Sequence, residues 1–166
     1  QFNSYIEILL GWIIPYPINY EVDLQIINVL FLFALLTSVP KLCESLGLYS
    51  KNWICLLLLL IISWNYIAIN GWIDGASLYY PYDIPSITFF SIGLTLFLKS
   101  KWIWFYPVFV LSLLNRESAC FISLAGFLLQ SSTYVHSFQR WFSKNKSLLL
   151  HILIQALLWL TSRIIL

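Results

Sequence analysis

Residues 102–129 read WIWFYPVFVLSLLNRESACFISLAGFLL, an apolar stretch interrupted near its middle by Asn115-Arg116-Glu117-Ser118. The stretch is either one long helix or two short helices joined by a turn. This choice sets the direction of every helix that follows it. The rest of the sequence supplies two arguments for choosing, one from composition and one from the placement of charge.

The composition indicates a membrane protein. Of the 166 residues, 60% are apolar, 18% aromatic and 10% charged, and the mean hydropathy is +0.83. A soluble domain carries about 25% charged and 45–50% apolar residues, so one small core could not hide this much apolar surface. The same figures exclude disordered, collagenous and nucleic-acid-binding proteins.

Basic residues distinguish the two ends of the predicted spans. Apolar runs at 22–39, 53–69, 84–98 and 148–166 are close to the roughly 20 residues that cross a bilayer as a helix. The connections at one end contain Lys41, Lys51, Lys99, Lys101, Arg140, Lys144 and Lys146, whereas the connection 70–82 has no basic residue. Because Lys and Arg concentrate in cytoplasmic loops, the lysine-rich end is predicted to be cytoplasmic.

The placement of charge also decides whether residues 102–129 form one helix or two. A single span would turn the basic segment 131–147 outward and leave a charged pair near mid-bilayer, where each charge costs about 2.5–3.5 kcal/mol. Two helices with a turn at 115–118 avoid both problems. Six of the seven acids then lie on the outer side: Glu7, Glu21, Asp23, Asp74, Asp83 and Glu117.

The predicted fold is therefore all-α, a polytopic transmembrane helical bundle of about six membrane helices that includes a short broken pair. Residues 1–166 are expected to form one transmembrane domain, with an outer interfacial segment at 1–20 and a cytoplasmic amphipathic segment at 131–147. The chain starts at Gln1 and ends within an apolar run. It is expected to be a fragment of a longer protein that has further segments or subunits.

The turn at 115–118 is the first place to look for a site. Polar backbone below the membrane surface is tolerated only where protein or a water-filled cavity surrounds it. A guanidinium suits phosphate because it presents a planar fork of donors, so Arg116, with Asn115 beside it, is predicted to bind a phosphate headgroup. In the structural alternative, Asn115 caps a helix and Arg116 snorkels or pairs with Glu117.

A second group of candidates precedes the span at 84–98. Tyr80, Tyr82 and Asp83 combine aromatic faces, hydroxyls and a carboxylate, which could stack on a sugar and orient an acceptor hydroxyl. The alternative is an aromatic belt with Asp83 at a helix start, since Pro85 follows in the first turn.

The remaining charged candidates lie at the predicted outer ends of the first and last spans. Glu21 and Asp23 could share one metal ion or one hydroxyl, or could simply complement a helix dipole. Arg163 is predicted to reach the level of Arg116, either as a second phosphate-binding cation or as a snorkelling helix end.

The sequence requires no cofactor. Cys43, Cys55 and Cys120 lack metal-ligand spacing and are interpreted as small packing residues. His136 and His151 lie towards the inner side, too far from the acids to form a relay. No metal site is predicted, although the pair Glu21 and Asp23 leaves a divalent cation open.

Two motifs resemble bacterial members of the GT-C superfamily, membrane glycosyltransferases that use polyprenyl-phosphate sugars on the outer face. These are Tyr80-Pro-Tyr-Asp-Ile-Pro85, leading into an aromatic helix, and Leu114-Asn-Arg-Glu-Ser118 about 30 residues later. The resemblance covers about residues 71–129. It implies an inverting transfer in the bacterial inner membrane, with an acid of the first outer loop as base, to which Glu21 or Asp23 would correspond.

The expected function follows from this resemblance. Arg116, Arg163, Asn115, Tyr80 and Tyr82 would bind the polyprenyl-phosphate sugar, and an outer acid would activate the acceptor. The candidate acids are Asp83, Glu21, Asp23 and Glu117. The main alternative is a non-enzymatic membrane assembly or lipid-carrier subunit whose charges pair to hold helices together. A secondary transporter is disfavoured because the sequence shows no inverted repeat.

Overall fold

The structure is a computed structural model that describes residues 20–48, 51–62, 83–131 and 146–165. Within these ranges the chain forms six α-helices and one 3-10 turn, with no strand, which confirms the all-α prediction. The elements are α1 (Tyr20–Ser45), α2 (Lys51–Ile62), α3 (Asp83–Leu98), α4 (Trp102–Asn115), the turn Glu117–Ala119, α5 (Cys120–Ser131) and α6 (Lys146–Ile165). Most of the predicted segments 1–20 and 131–147 lies outside the described residues.

Only some of these helices reach membrane length. Two are long and apolar enough to cross a bilayer, over Ile26–Ser45 and Lys146–Ile164. Helix α3 has 16 residues and α4 has 14, or about 24 and 21 Å at 1.5 Å per residue. The described part of α3 covers the predicted run 84–98 but is shorter than the roughly 20 residues that cross a bilayer as a helix.

The first helix extends beyond its predicted end at residue 39. Residues 41–45, which include the polar Lys41, Glu44 and Ser45, continue the helix, which stops where Gly47 adopts a left-handed conformation with φ 71°. The N–H of Leu48 then donates to the carbonyl of Cys43 at 2.8 Å. This hydrogen bond belongs to a Schellman C-cap, in which glycine is favoured, so the backbone and not the hydropathy sets the helix end.

Helices α1 and α3 run in the same direction. The rings of Phe31 and Phe89 meet edge to face with centroids 5.4 Å apart. Seven residues further along α1, the hydroxyl of Ser38 donates to that of Ser91 at 3.1 Å. A later residue of α1 therefore contacts a later residue of α3, as expected for two parallel helices.

The chain reverses twice after α3. Phe97 packs on Trp102 with ring centroids 5.2 Å apart, and the opposite ends of the two helices meet where Asn115 contacts Ser86, so α4 is antiparallel to α3. Gly93 faces Ile122 and Gly126 faces Phe97, so α5 again runs parallel to α3. The predicted break at 115–118 is confirmed, and it turns the chain back.

Charge separates along the bundle as a result of these directions. The five lysines at helix ends or starts within the described residues, Lys41, Lys51, Lys99, Lys101 and Lys146, share one end, which we call the lysine end. Arg116 and Asp83 lie at the opposite end, which we call the Arg116 end. The outward faces between them carry large apolar side chains, and Ile103 is 85% exposed.

The turn from α3 to α4 places Ser100, a residue other than glycine, in a left-handed backbone conformation. Ser100 has φ 54°, with its N–H bonded to the Phe97 carbonyl and the N–H of Lys101 bonded to the Leu96 carbonyl, both at 2.9 Å. This Schellman geometry favours glycine at the left-handed position. Ser100→Gly should therefore stabilise the fold by roughly 0.5–1 kcal/mol, measured by chemical denaturation in detergent. Ser100→Ala should give no gain, and equal stability of all three proteins would contradict the assignment.

Candidate functional site

The backbone at the break presents Arg116 at the end of the α3–α4 pair. Arg116 is extended, with φ −156° and ψ 150°, and its N–H donates to the carbonyl of Ser112 at 2.9 Å. Its carbonyl accepts from the N–H of Ala119 at 3.3 Å. Both backbone groups of this residue are thus satisfied within protein, which a turn inside a bilayer requires.

Asn115 does not cap the following turn. No side chain caps the N-terminus of the turn Glu117–Ala119, and the amide of Asn115 instead donates to the hydroxyl of Ser86 at 2.8 Å. The capping interpretation of Asn115 is therefore wrong. Asn115 ends α4 and ties it to α3, because the antiparallel packing brings the two helix ends together.

Arg116 forms an ion pair with Asp83. The guanidinium Nη1 lies 2.6 Å from the carboxylate Oδ1, and the two side chains are 49% and 20% exposed. Residue 83 comes 33 positions earlier in the chain, so the pair joins the start of α3 to the break. Both residues were predicted site residues, but the pairing of Arg116 with Asp83 was not predicted; the alternative partner Glu117 has a side chain that lies outside the description.

A cavity of about 390 Å³ opens beside this ion pair. Its polar lining consists of Asp83, Ser86, Ser112, Arg116 and Ser118, and its apolar lining includes Ile87, Phe90, Phe121 and Ile122. We call it the Arg116 cavity. It is amphipathic, with charge at its mouth and aromatic and branched side chains along one wall.

The lining residues on α3 were partly recognisable from spacing. Asp83, Ser86, Ile87 and Phe90 follow the i, i+3, i+4, i+7 pattern that marks one face of a helix. Of these four residues, only Asp83 was a predicted site residue. Ser112 and Phe121 carried no comparable signal, because their place depends on how α4 and α5 pack around α3.

Arg163 shares the level of the site without joining it. His151 stacks on Trp102 with ring centroids 3.8 Å apart, and α6 runs parallel to α4 from there. Arg163 is twelve residues past His151 and Arg116 fourteen past Trp102, so equal rise brings them to similar heights. Arg163 does not line the cavity, and its guanidinium lies 5.9 Å from the centre of the Trp159 ring.

The structure describes the other predicted site residues only in part. Glu21 and Asp23 lie in the first turns of α1, at the Arg116 end, but their side chains are outside the description. Tyr80 and Tyr82 also lie outside it. In the described part of the chain, no three His, Cys, Asp or Glu side chains are grouped so that they could hold a metal ion.

Comparison with protein-family models, with curated proteins and with solved structures gave no match. The described residues define the chain only as a helical protein, in which two helices are long and apolar enough to cross a membrane. Its candidate site is an arginine–carboxylate pair at the mouth of an amphipathic cavity.

Proposed function

We propose that the chain is the site-bearing part of a polytopic membrane glycosyltransferase that takes a sugar from a polyprenyl-phosphate donor. The observation that carries the proposal is the Arg116 cavity, which combines an exposed guanidinium with an apolar wall. A polyprenyl-phosphate has the same two parts, an anionic headgroup and a hydrocarbon chain. The collection of lysines at the opposite end supports a site on the outer face of a bacterial inner membrane.

The ion pair suggests how donor binding would prepare the reaction. The guanidinium of Arg116 holds the Asp83 carboxylate in an ion pair, which keeps that carboxylate from contacting an acceptor. A donor phosphate can compete for the same guanidinium, because its two free oxygens accept bidentate hydrogen bonds from an arginine. Once Arg116 turns to phosphate, the Asp83 carboxylate is released for the acceptor.

The transfer itself then follows an inverting course. The acceptor hydroxyl oxygen attacks the anomeric carbon while the bond from that carbon to the phosphate oxygen breaks. Asp83 accepts the hydroxyl proton, with Glu21 and Asp23 as alternative bases at the same end. Arg116 stabilises the negative charge that develops on the departing polyprenyl phosphate.

A second function is favoured by the same ion pair. Asp83–Arg116 and Ser86–Asn115 both join α3 to α4, as expected for a non-enzymatic assembly or lipid-carrier subunit in which charges hold helices together. In this structural alternative, Asp83 joins Glu117 as a partner of Arg116.

Exchange of the two charges separates these functions. Asp83→Arg and Arg116→Asp should each abolish transfer from a panel of polyprenyl-phosphate sugars in membranes that contain the intact parent protein. The double exchange should restore thermal stability but leave transfer at least about 100-fold below wild type, since the cation and the base have traded places. Lys41→Gln, at the lysine end, is the matched control. Recovery of full function by the exchange would favour the structural role.

A further inference from the structure

A second cavity, of about 220 Å³, lies between α4, α5 and α6. We call it the Gln155 cavity. At 100° per residue, its α5 residues Cys120, Leu124 and Phe127 face away from Phe121 and Ile122, which line the Arg116 cavity. The two cavities are therefore separate, and the inference that follows does not rest on the proposed glycosyltransferase activity.

The Gln155 cavity contains polar groups that lack partners. Gln155 is only 1% exposed, and neither its Nε2 nor its Oε1 makes a hydrogen bond within the described residues. The hydroxyl of Ser123, which lines the same cavity, also has no partner there. Tyr106 lies beside Gln155 and its hydroxyl is hydrogen-bonded to Nδ1 of His151 at 2.6 Å, but the contact between Tyr106 and Gln155 does not reach hydrogen-bonding geometry.

Such groups are costly unless something in the cavity satisfies them. Burying an amide or hydroxyl without a hydrogen bond is unfavourable, and native proteins rarely leave one in that state. Gln155 contributes both donors and an acceptor, on two sides of the same amide. The occupant must therefore both donate and accept hydrogen bonds at one position.

The other residues that line the Gln155 cavity indicate the polarity of the rest of the bound molecule. Apart from Gln155 and Ser123, the lining is largely aromatic and aliphatic, with Phe109, Leu124, Phe127 and Trp159. Leu124 is half exposed and its neighbours on the bundle surface are apolar, so the cavity lies beside an apolar part of the bundle surface. Its volume is several times the roughly 30 Å³ that one water molecule occupies in the liquid.

We infer that the Gln155 cavity binds a hydroxyl-bearing apolar molecule, a long-chain or isoprenoid alcohol from the lipid phase. The hydroxyl donates to Oε1 of Gln155 and accepts from Nε2 or from Ser123. The hydrocarbon chain packs between Phe109, Phe127 and Trp159. A hydroxyl is the smallest group that meets both hydrogen-bonding requirements with a single atom.

The test uses the purified full chain in detergent and two isomeric probes, 1-octanol and 1-methoxyheptane. The ether accepts but cannot donate a hydrogen bond. Wild type should show a saturable rise in Tm with 1-octanol and a weaker response to the ether, from which affinities follow. Gln155→Leu should raise the Tm without probe, lower the affinity for 1-octanol about tenfold, as for one lost hydrogen bond, and respond equally to both probes.

Gln130→Leu is the matched control, since Gln130 is also a glutamine but does not line the cavity; it should keep the preference for 1-octanol. Ser123→Ala serves if Gln155→Leu does not fold, and should show a reduced preference. If 1-octanol and 1-methoxyheptane raised the Tm of wild type equally, the inference would be overturned, and water would be the molecule that satisfies Gln155. A wild-type dimer that Gln155→Leu converts to a monomer would also overturn it, because a partner helix would then satisfy the amide.

Discussion

Arg116→Ala should lower sugar transfer by about two to three orders of magnitude, the effect of removing one donor that stabilises developing charge. Arg116 is the cation that lines the Arg116 cavity, and in the proposed reaction the loss of its guanidinium leaves the departing phosphate without a counter-charge. Transfer from polyprenyl-phosphate sugars to acceptor, measured in membranes with protein quantified, is the readout. The fall should lie mainly in kcat, because charge builds up in the transition state.

The substitution Arg116→Lys distinguishes phosphate binding by Arg116 from a purely structural role in joining α3 to α4. A lysine keeps the charge and can still face Asp83, but it loses the bidentate fork that matches phosphate. We expect intermediate activity, with thermal stability close to wild type. Turnover of Arg116→Ala equal to wild type in intact membranes would refute the phosphate-binding role.

Gly126→Ala should be the most destabilising single-methyl substitution among the described glycines. A Cβ at Gly126 would overlap the ring of Phe97, with Cε1 at 2.6 Å and Cγ at 2.8 Å. Phe97 is fully buried in the main core cluster, so its ring has no free space to enter. Overpacking of this kind costs about 1–3 kcal/mol and occasionally more, here by forcing α5 away from α3. Unfolding in detergent by heat or denaturant measures it.

Gly93→Ala provides a graded comparison at the same helix interface. Its Cβ would lie 3.1 Å from the side-chain tips of Ile122, which can shift by a few tenths of an ångström. We expect a smaller loss than at Gly126. In addition, Phe97→Leu should reduce the cost of Gly126→Ala, seen as coupling in a double-mutant cycle. Additive effects would contradict a direct clash between the methyl group and the ring.

The break in residues 102–129 was predictable because its signal is local. Asn115 and Ser118 compete with helical backbone bonding, and the two charges between them are costly inside an apolar span. The extended Arg116 and the 3-10 turn after it fulfil this expectation. The ion pair between Arg116 and Asp83 was not predictable in the same way, because Asp83 comes from the start of α3, 33 residues earlier in the chain.

Other features could not be read from hydropathy. The apolar run 84–98 matches the described part of α3, Asp83–Leu98, but the left-handed turn at Ser100 that ends it could not be read from hydropathy. Gln155 was one polar residue in an apolar helix. Its significance depends on α4 and α5 packing over it, which buries its amide without providing a partner.

The sequence by itself determined the helical class, the reversal at 115–118 and the separation of lysines from the acidic end. Composition, local backbone preference and charge all act on neighbouring residues, so they can be read along the chain. The tertiary structure decided which side chains meet: Arg116 with Asp83, Asn115 with Ser86, and Gly126 with Phe97. These pairs depend on how closely helices approach and at what register, which is set by packing between segments far apart in sequence.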